Sequence, residues 1–89
     1  MQKNKSIHEL TSIPGVGKSI ANDLREIGIF EVSDLKGKNP GNLYKLSNQK
    51  AGVIQDRCLL YVFRCAVYYA ETPEKERKTE KLKWWNWKD

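Results

Sequence analysis

The sequence has few residues that could build a covalent or metal-bound framework. Its 89 residues include two cysteines and one histidine. Cys58 and Cys65 lie on one predicted helix, with Cα atoms about 10 Å apart along its axis, too far for a disulfide. We expect both thiols to be small buried side chains, and His8 to lie at the surface. The prediction therefore contains no disulfide, no metal site and no cofactor.

Long apolar runs are also missing. The most apolar stretch, Cys58 to Tyr69, is too short to span a bilayer and contains Arg64. The N-terminal stretch MQKNKSIHEL is basic but lacks the apolar centre of a signal peptide. The sequence therefore predicts a cytoplasmic protein with no membrane partner.

No stretch alternates between apolar and polar residues as a half-buried strand would, so the predicted fold class is all-α. Periodic apolar residues, caps and breakers predict helices instead. The predicted elements are a helix over 6–12 behind a Ser6–Glu9 capping box, a helix Lys18–Ile27, a helical turn Val32–Leu35, a helix Pro40–Gln49 behind an Asn39 cap, and a helix Arg57–Glu71 behind an Asp56 cap.

Composition divides this small chain near residue 72. Residues 1–71 are predicted to form the helical bundle, and residues 72–89 form a charged, Trp-rich C-terminal segment ending in LKWWNWKD. Clustered tryptophans near a terminus usually pack onto the core of a small domain, so we expect the segment to be docked. Trp84 and either Trp85 or Trp87 should then point inward. The alternative is that these tryptophans stay exposed and form a surface on which nucleic-acid bases stack.

The segment TSIPGVGKS, residues 11–19, allows two interpretations. Its last three residues match the end of a nucleotide-binding P-loop, G-x-x-x-x-G-K-[ST]. That motif needs glycine where this chain has Ser12, and it needs a preceding strand where this chain predicts a helix. The sequence therefore favours the other interpretation, a tight turn between two helices.

Such a turn can bind an anion. Gly15 and Gly17 are expected to take positive φ, and Val16 to turn inward and fix the turn. The N–H groups that begin the next helix then face solvent and can hold a phosphate oxygen. Lys18 and Ser19 add a charged and a neutral donor.

A weaker copy of the turn occurs at Ala51-Gly52-Val53-Ile54. Ile54 stands where Gly17 stands in the first copy. Because a β-branched residue disfavours positive φ, we expect this second turn to have lost its phosphate contact. Arg57, which follows it, is the better phosphate candidate in this region.

The stretch IPGVGKSIANDL resembles the helix-hairpin-helix motif of many DNA repair and replication proteins. The motif positions are occupied by Ile13, Gly15, Val16, Gly17, Ala21 and Leu24. The runs GIFEVSDLKGKNPGNLYKL and DRCLLYVFRCAVYYAE extend the resemblance to the small bacterial "pathogenicity locus" helix-hairpin-helix family and to the C-terminal domain of TfoX-type competence regulators. The resemblance implies a SAM-like helical bundle with one intact helix-hairpin-helix and a degenerate second hairpin. DNA binding through the first hairpin is the function that it implies.

A net charge of +5 is consistent with an anionic partner. We expect a monomer that binds DNA backbone weakly, without sequence preference, and the candidate residues are Gly15, Val16, Gly17, Lys18, Ser19 and Arg57. The alternative is a protein-interaction or structural module without nucleic acid. DNA glycosylases that contain this hairpin carry a nucleophilic lysine two residues after its second glycine, where this chain has Ser19. We therefore expect a protein that is not an enzyme.

Overall fold

The computed structural model describes residues 9–88, and their architecture is all-helical, as predicted. Three α-helices lie wholly within this range: α1 (Lys18–Glu26), α2 (Pro40–Ala51) and α3 (Cys58–Glu71). Single 3-10 turns cover Val32–Leu35, Glu74–Glu76, Thr79–Leu82 and Trp84–Trp87. Residues 9–88 contain no strand, and none of their helices is both long and apolar enough to cross a membrane.

Before α1, Glu9 and Leu10 are helical, and the turn toward α1 starts at Thr11, one residue before the predicted helix end at Ser12. The Ser6 side of the predicted capping box lies outside the described residues. Glu9 Oε1 accepts a hydrogen bond from the Val32 N–H at 2.6 Å. This carboxylate therefore ties the segment before α1 to the segment that follows it.

Local sequence signals set the ends of α2. Asn39 Oδ1 accepts hydrogen bonds from the N–H groups of Gly41 at 2.8 Å and Asn42 at 3.2 Å, as a helix cap does. Gly52 ends the helix in the left-handed conformation, with φ of 75°. The helix continues to Ala51 rather than to the predicted Gln49, because only Gly52 supplies this termination.

Helix α3 lies at the centre of the core, as its apolar sequence predicts. Phe63 is fully buried and belongs to a core cluster that includes residues of all three helices and of the segments between them. The buried cluster is Leu10, Ile13, Val16, Ala21, Leu24, Ile29, Leu35, Leu43, Leu59, Val62, Phe63, Ala66, Val67 and Ala70. Cys65 is buried as predicted, and burial raises the pKa of its thiol to about 11. The predicted burial of Cys58 is wrong, because Cys58 is the exposed first residue of α3.

The C-terminal segment follows α3 and is held to it by specific contacts. Arg64 Nη1 donates to the Trp87 carbonyl at 2.7 Å, and Trp87 Nε1 donates to the Lys81 carbonyl at 2.8 Å. The Trp87 ring lies 5.6 Å from that of Tyr68, centroid to centroid. Trp84 is partly buried and packs against the core. The division of the chain at residue 72 stays a prediction.

Trp84 reaches the turn that precedes α1. A Cβ built on Gly15 would lie 2.9 Å from Trp84 Cδ1 and 3.6 Å from Trp84 Cβ. Gly15 has φ of +88°, so both its backbone conformation and its contact with the indole favour glycine. The C-terminal segment and the first turn are thus packed together through a position that has no side chain.

Gly15→Ala should destabilise the protein more than Gly28→Ala. Gly28 has a similar φ of +93°, but a Cβ there would meet nothing within 4 Å. Both variants carry a backbone cost of about 1 kcal/mol, and only Gly15→Ala adds overpacking against Trp84, typically about 1–3 kcal/mol. Urea denaturation followed by circular dichroism measures both free energies of unfolding. Equal losses would mean that the indole contact contributes nothing.

Candidate nucleic-acid interface

The turn between residues 10 and 18 is built on buried apolar side chains. Leu10, Ile13 and Val16 are all buried, with Val16 only 5% exposed. The Ile13 N–H donates to the Leu10 carbonyl at 3.1 Å, and the Val16 N–H donates to the Ile13 carbonyl at 3.0 Å. Val16 thus turns inward, so only its backbone is available to a ligand. The residues on either side of it, Gly15 and Gly17, are exposed.

Gly17 departs from the expected backbone conformation. Its φ is −92° and its ψ is −173°, so the predicted positive φ is wrong at this position. Gly17 is the N-cap of α1, and an N-cap residue takes extended backbone, which any residue can adopt. A Cβ at Gly17 would meet nothing within 4 Å. Neither backbone conformation nor packing within residues 9–88 requires glycine here. Because glycine has no side chain, however, Gly17 cannot cap the first N–H groups of α1.

The first amides of α1 form the donor set of the site. The Gly17 carbonyl accepts from the Ala21 N–H at 2.9 Å, whereas no acceptor within residues 9–88 bonds to the N–H of Lys18, Ser19 or Ile20. Among residues 9–88 no side chain caps this end, and the first turn of α1 holds no acidic residue. Lys18 and Ser19 are exposed. Three unpaired donors at the positive end of a helix, beside an ammonium group, can hold an anion.

The second turn has different chemistry at the start of α3. Asp56 Oδ1 accepts from the Cys58 N–H at 2.8 Å, as the predicted cap would, although α3 begins at Cys58 and its N-cap residue is Arg57 rather than Asp56. This backbone hydrogen bond lowers the pKa of the Asp56 carboxyl below its ordinary value. An ionised carboxylate therefore occupies the helix end where a phosphate would have to bind. That carboxylate, rather than the φ of Ile54, is the physical difference between the two turns, because Gly17 does not use positive φ.

The side chains at the tip of the second turn also differ from those of the first. Val53 is 63% exposed and Ile54 is 87% exposed, whereas Val16 in the first turn is buried. Polar contacts fix this turn instead: Gln55 Nε2 donates to Ser47 Oγ and to Asn48 Oδ1, both at 3.0 Å. The sequence match between Val16 and Val53 therefore does not extend to their environments.

Arg57 lies at the N-cap of α3, next to Asp56, and its side chain is exposed. Its guanidinium lies 5.9 Å from the centroid of the Tyr61 ring. Arg64, on the same side of α3, donates to the C-terminal segment. Arg57 thus belongs to the second turn, while the other five candidates are consecutive residues of the first, Gly15 to Ser19.

Sequence reasoning missed the contact of Trp84 with the first turn. Clustered tryptophans indicated docking in general, but no local pattern specifies which residue an indole meets far away in the chain. Within residues 9–88, no group of three His, Cys, Asp or Glu side chains is placed to hold a metal ion. The chemistry available at the first turn is therefore that of backbone donors, one lysine and one hydroxyl.

Comparison with known proteins places the chain in a family. The family profile of Cdd1, described as pathogenicity locus, matches residues 3–89. Among curated proteins, the mitomycin resistance protein McrB of Streptomyces lavendulae is 34% identical over 79 residues, covering 78% of this chain and 75% of that protein. No solved structure matches the chain. Because the family match extends over nearly the whole sequence, the chain belongs to the Cdd1 pathogenicity locus family.

Proposed function

We propose that this protein binds the DNA backbone without sequence preference through the turn Gly15–Ser19 and the first amides of α1. The observation that carries the proposal is the contrast between the two helix starts. The start of α1 has unpaired N–H groups behind a bare Gly17, and the start of α3 already holds the Asp56 carboxylate. An anion is the ligand that such an open helix end accepts, and phosphate is the anion that a DNA surface presents.

The wider setting of the site is consistent with a nucleic-acid partner. In this proposal the bundle is SAM-like, with an intact helix-hairpin-helix around Gly15–Ser19 and a degenerate second hairpin around Gly52–Arg57. Lys18 supplies a charge-assisted contact, and the net charge of +5 favours approach to DNA. Arg57 is a secondary contact at most, since the Asp56 carboxylate lies beside it. The protein acts as a cytoplasmic monomer without cofactor or catalytic residues.

A second candidate function is a protein-interaction module. The observation that favours it is a set of exposed apolar side chains on α2 and the second turn, namely Leu46, Val53 and Ile54. Val53 and Ile54 line the same groove, and adjacent exposed apolar side chains are typical of protein contacts. Pull-down at low and high salt, with and without nuclease, separates the two functions. A partner retained after nuclease and lost in Ile54→Glu favours the protein-interaction module.

Lys18→Glu should weaken DNA binding and flatten its salt dependence. One hairpin neutralises about two to four phosphates, so wild type should bind with micromolar or weaker affinity and a log–log salt slope of about −2 to −4. The variant should lose about one unit of slope. Its free energy of unfolding should change by less than about 0.5 kcal/mol, because Lys18 is exposed and a glutamate suits a helix N-terminus. Fluorescence anisotropy across a salt series measures both affinity and slope.

Lys50→Glu is the matched control for charge. It changes the net charge equally, but Lys50 lines a groove with Ile27, beyond the C-terminal end of α1. That end is about 13 Å from Lys18 at 1.5 Å per residue, which exceeds a Debye length at about 0.1 M salt. The control should therefore bind DNA nearly as wild type does. Equal losses in both variants, or a wild-type affinity that ignores salt, would remove the support for a hairpin phosphate contact.

Gly17→Ser should move stability and DNA affinity in opposite directions. Serine is a favoured N-cap whose hydroxyl accepts from an amide of the first turn, so the free energy of unfolding should rise by about 0.5–1 kcal/mol. Once an N–H group of α1 donates to this hydroxyl, it is no longer available to a phosphate oxygen. DNA affinity should therefore fall roughly tenfold. Thermal unfolding and anisotropy measure the two effects. A stabilised variant with wild-type affinity would show that the α1 amides do not hold DNA.

A further inference from the structure

Trp85 is a half-exposed aromatic side chain held beside the first turn. Trp84, its neighbour, packs against Gly15, with 3.6 Å between the Trp84 Cβ and a Cβ built on Gly15. Consecutive Cα atoms are about 3.8 Å apart and a Cα–Cβ bond is about 1.5 Å long, so the Trp85 Cα lies within about 10.5 Å of the Gly15 Cα. The Trp85 side chain is 49% exposed. It is therefore a half-exposed aromatic side chain whose sequence neighbour, Trp84, contacts the first turn.

One face of the Trp85 indole has no aromatic partner. Its ring meets that of Trp84 at 5.7 Å between centroids and 85° between planes. A T-shaped contact of this kind occupies at most one face of a ring. Within residues 9–88, Trp85 has no other ring contact and no cation above it. The other two tryptophans are engaged, Trp84 with the core and Trp87 with Tyr68 and Lys81.

The exposure of Trp85 is not the result of a loosely held segment. The residues on both sides are anchored, Trp84 by packing and Trp87 by the hydrogen bond from Arg64 at 2.7 Å. Asn86 adds two hydrogen bonds at 2.9 Å, from its N–H to the Lys83 carbonyl and from Nδ2 to the Glu80 carbonyl. An aromatic ring held on a fixed backbone loses little entropy when it stacks with a ligand.

We infer that Trp85 stacks on an unpaired base of DNA whose backbone is held at the first turn. This inference rests on the proposed function and names its substrate class, a duplex that ends in a single-stranded overhang. Bases inside a duplex are already stacked on their neighbours, so only an unpaired base can offer its whole face to the indole. Lys83 and Lys88 lie on either side of the Trp84–Trp87 turn. Their positive charges attract the phosphates of the single strand that carries this base.

Two DNA probes of equal charge test this inference. Both are the same duplex with an overhang of the same length, which carries thymines in one probe and abasic sites in the other. The phosphates are identical, so any difference in affinity comes from the bases. Wild type should bind the thymine overhang between about 5-fold and about 150-fold more tightly, the range for one stacked base. Trp85→Ala should reduce that ratio to less than about twofold.

Phe30→Ala is the matched control for the loss of an exposed aromatic ring. Phe30 is 46% exposed but follows the C-terminal end of α1, about 13 Å from the hairpin end of that helix. This variant should keep the wild-type ratio between the two probes. Trp85→Phe keeps an aromatic face and should retain most of the ratio.

The outcomes separate the inference from the function on which it rests. If wild type binds both overhangs equally and still shows salt-dependent binding to a blunt duplex, the stacking role is wrong and the proposed function stands. A preference for thymine that survives Trp85→Ala also overturns the role of this residue. No binding to any probe at low salt overturns both. If Trp85→Ala fails to fold, Trp85→Leu takes its place, because it removes the aromatic face and keeps a large apolar side chain.

Discussion

Burial of Val16 is the interaction on which the candidate site depends. Val16 packs into the core together with Leu10 and Ile13, and this fixes the direction in which the chain enters α1. Because Val16 points inward, the exposed Gly17 and the first turn of α1 are left on the outer side of the turn. The second turn lacks such an anchor, since Val53 is exposed, and its backbone is held instead by the hydrogen bond from the Gln55 N–H to Asn48 Oδ1. Burial of its valine thus distinguishes the first turn from the second, whose valine is exposed.

The N-terminal ends of α1 and α3 differ in charge, although both follow a glycine-containing turn. At α3 the Asp56 carboxylate accepts a backbone N–H, so the positive end of the helix is neutralised within the chain. At α1 no side chain from the described part of the chain takes this role, and Lys18 adds positive charge beside the unpaired amides. Repulsion by Asp56 and attraction by Lys18 act on a phosphate in opposite senses. Of the two helix starts, the first is therefore the one whose electrostatics favour an anion, even though both turns contain glycine.

Local signals in the sequence predicted the helices well because each signal acts within a few residues. Asn39 caps α2, Gly52 ends it and Asp56 accepts the Cys58 N–H, all through bonds that short spacing determines. The incorrect predictions concern single positions. Gly17 was assigned positive φ because glycine is typical of such turns, but its place as N-cap demands extended backbone. The contact of Trp84 with Gly15 depends on the path of the whole C-terminal segment, which no local pattern encodes.

The open start of α1 is compatible with a stable fold because the helix does not depend on its cap. A helix of nine residues is too short to be stable alone in water, so its stability comes from tertiary packing. Ala21 and Leu24 are fully buried against the core and supply that packing. A missing cap costs about 1 kcal/mol, which is less than burial of one large apolar side chain contributes. Packing further along α1 therefore leaves its first amides free to bind a ligand.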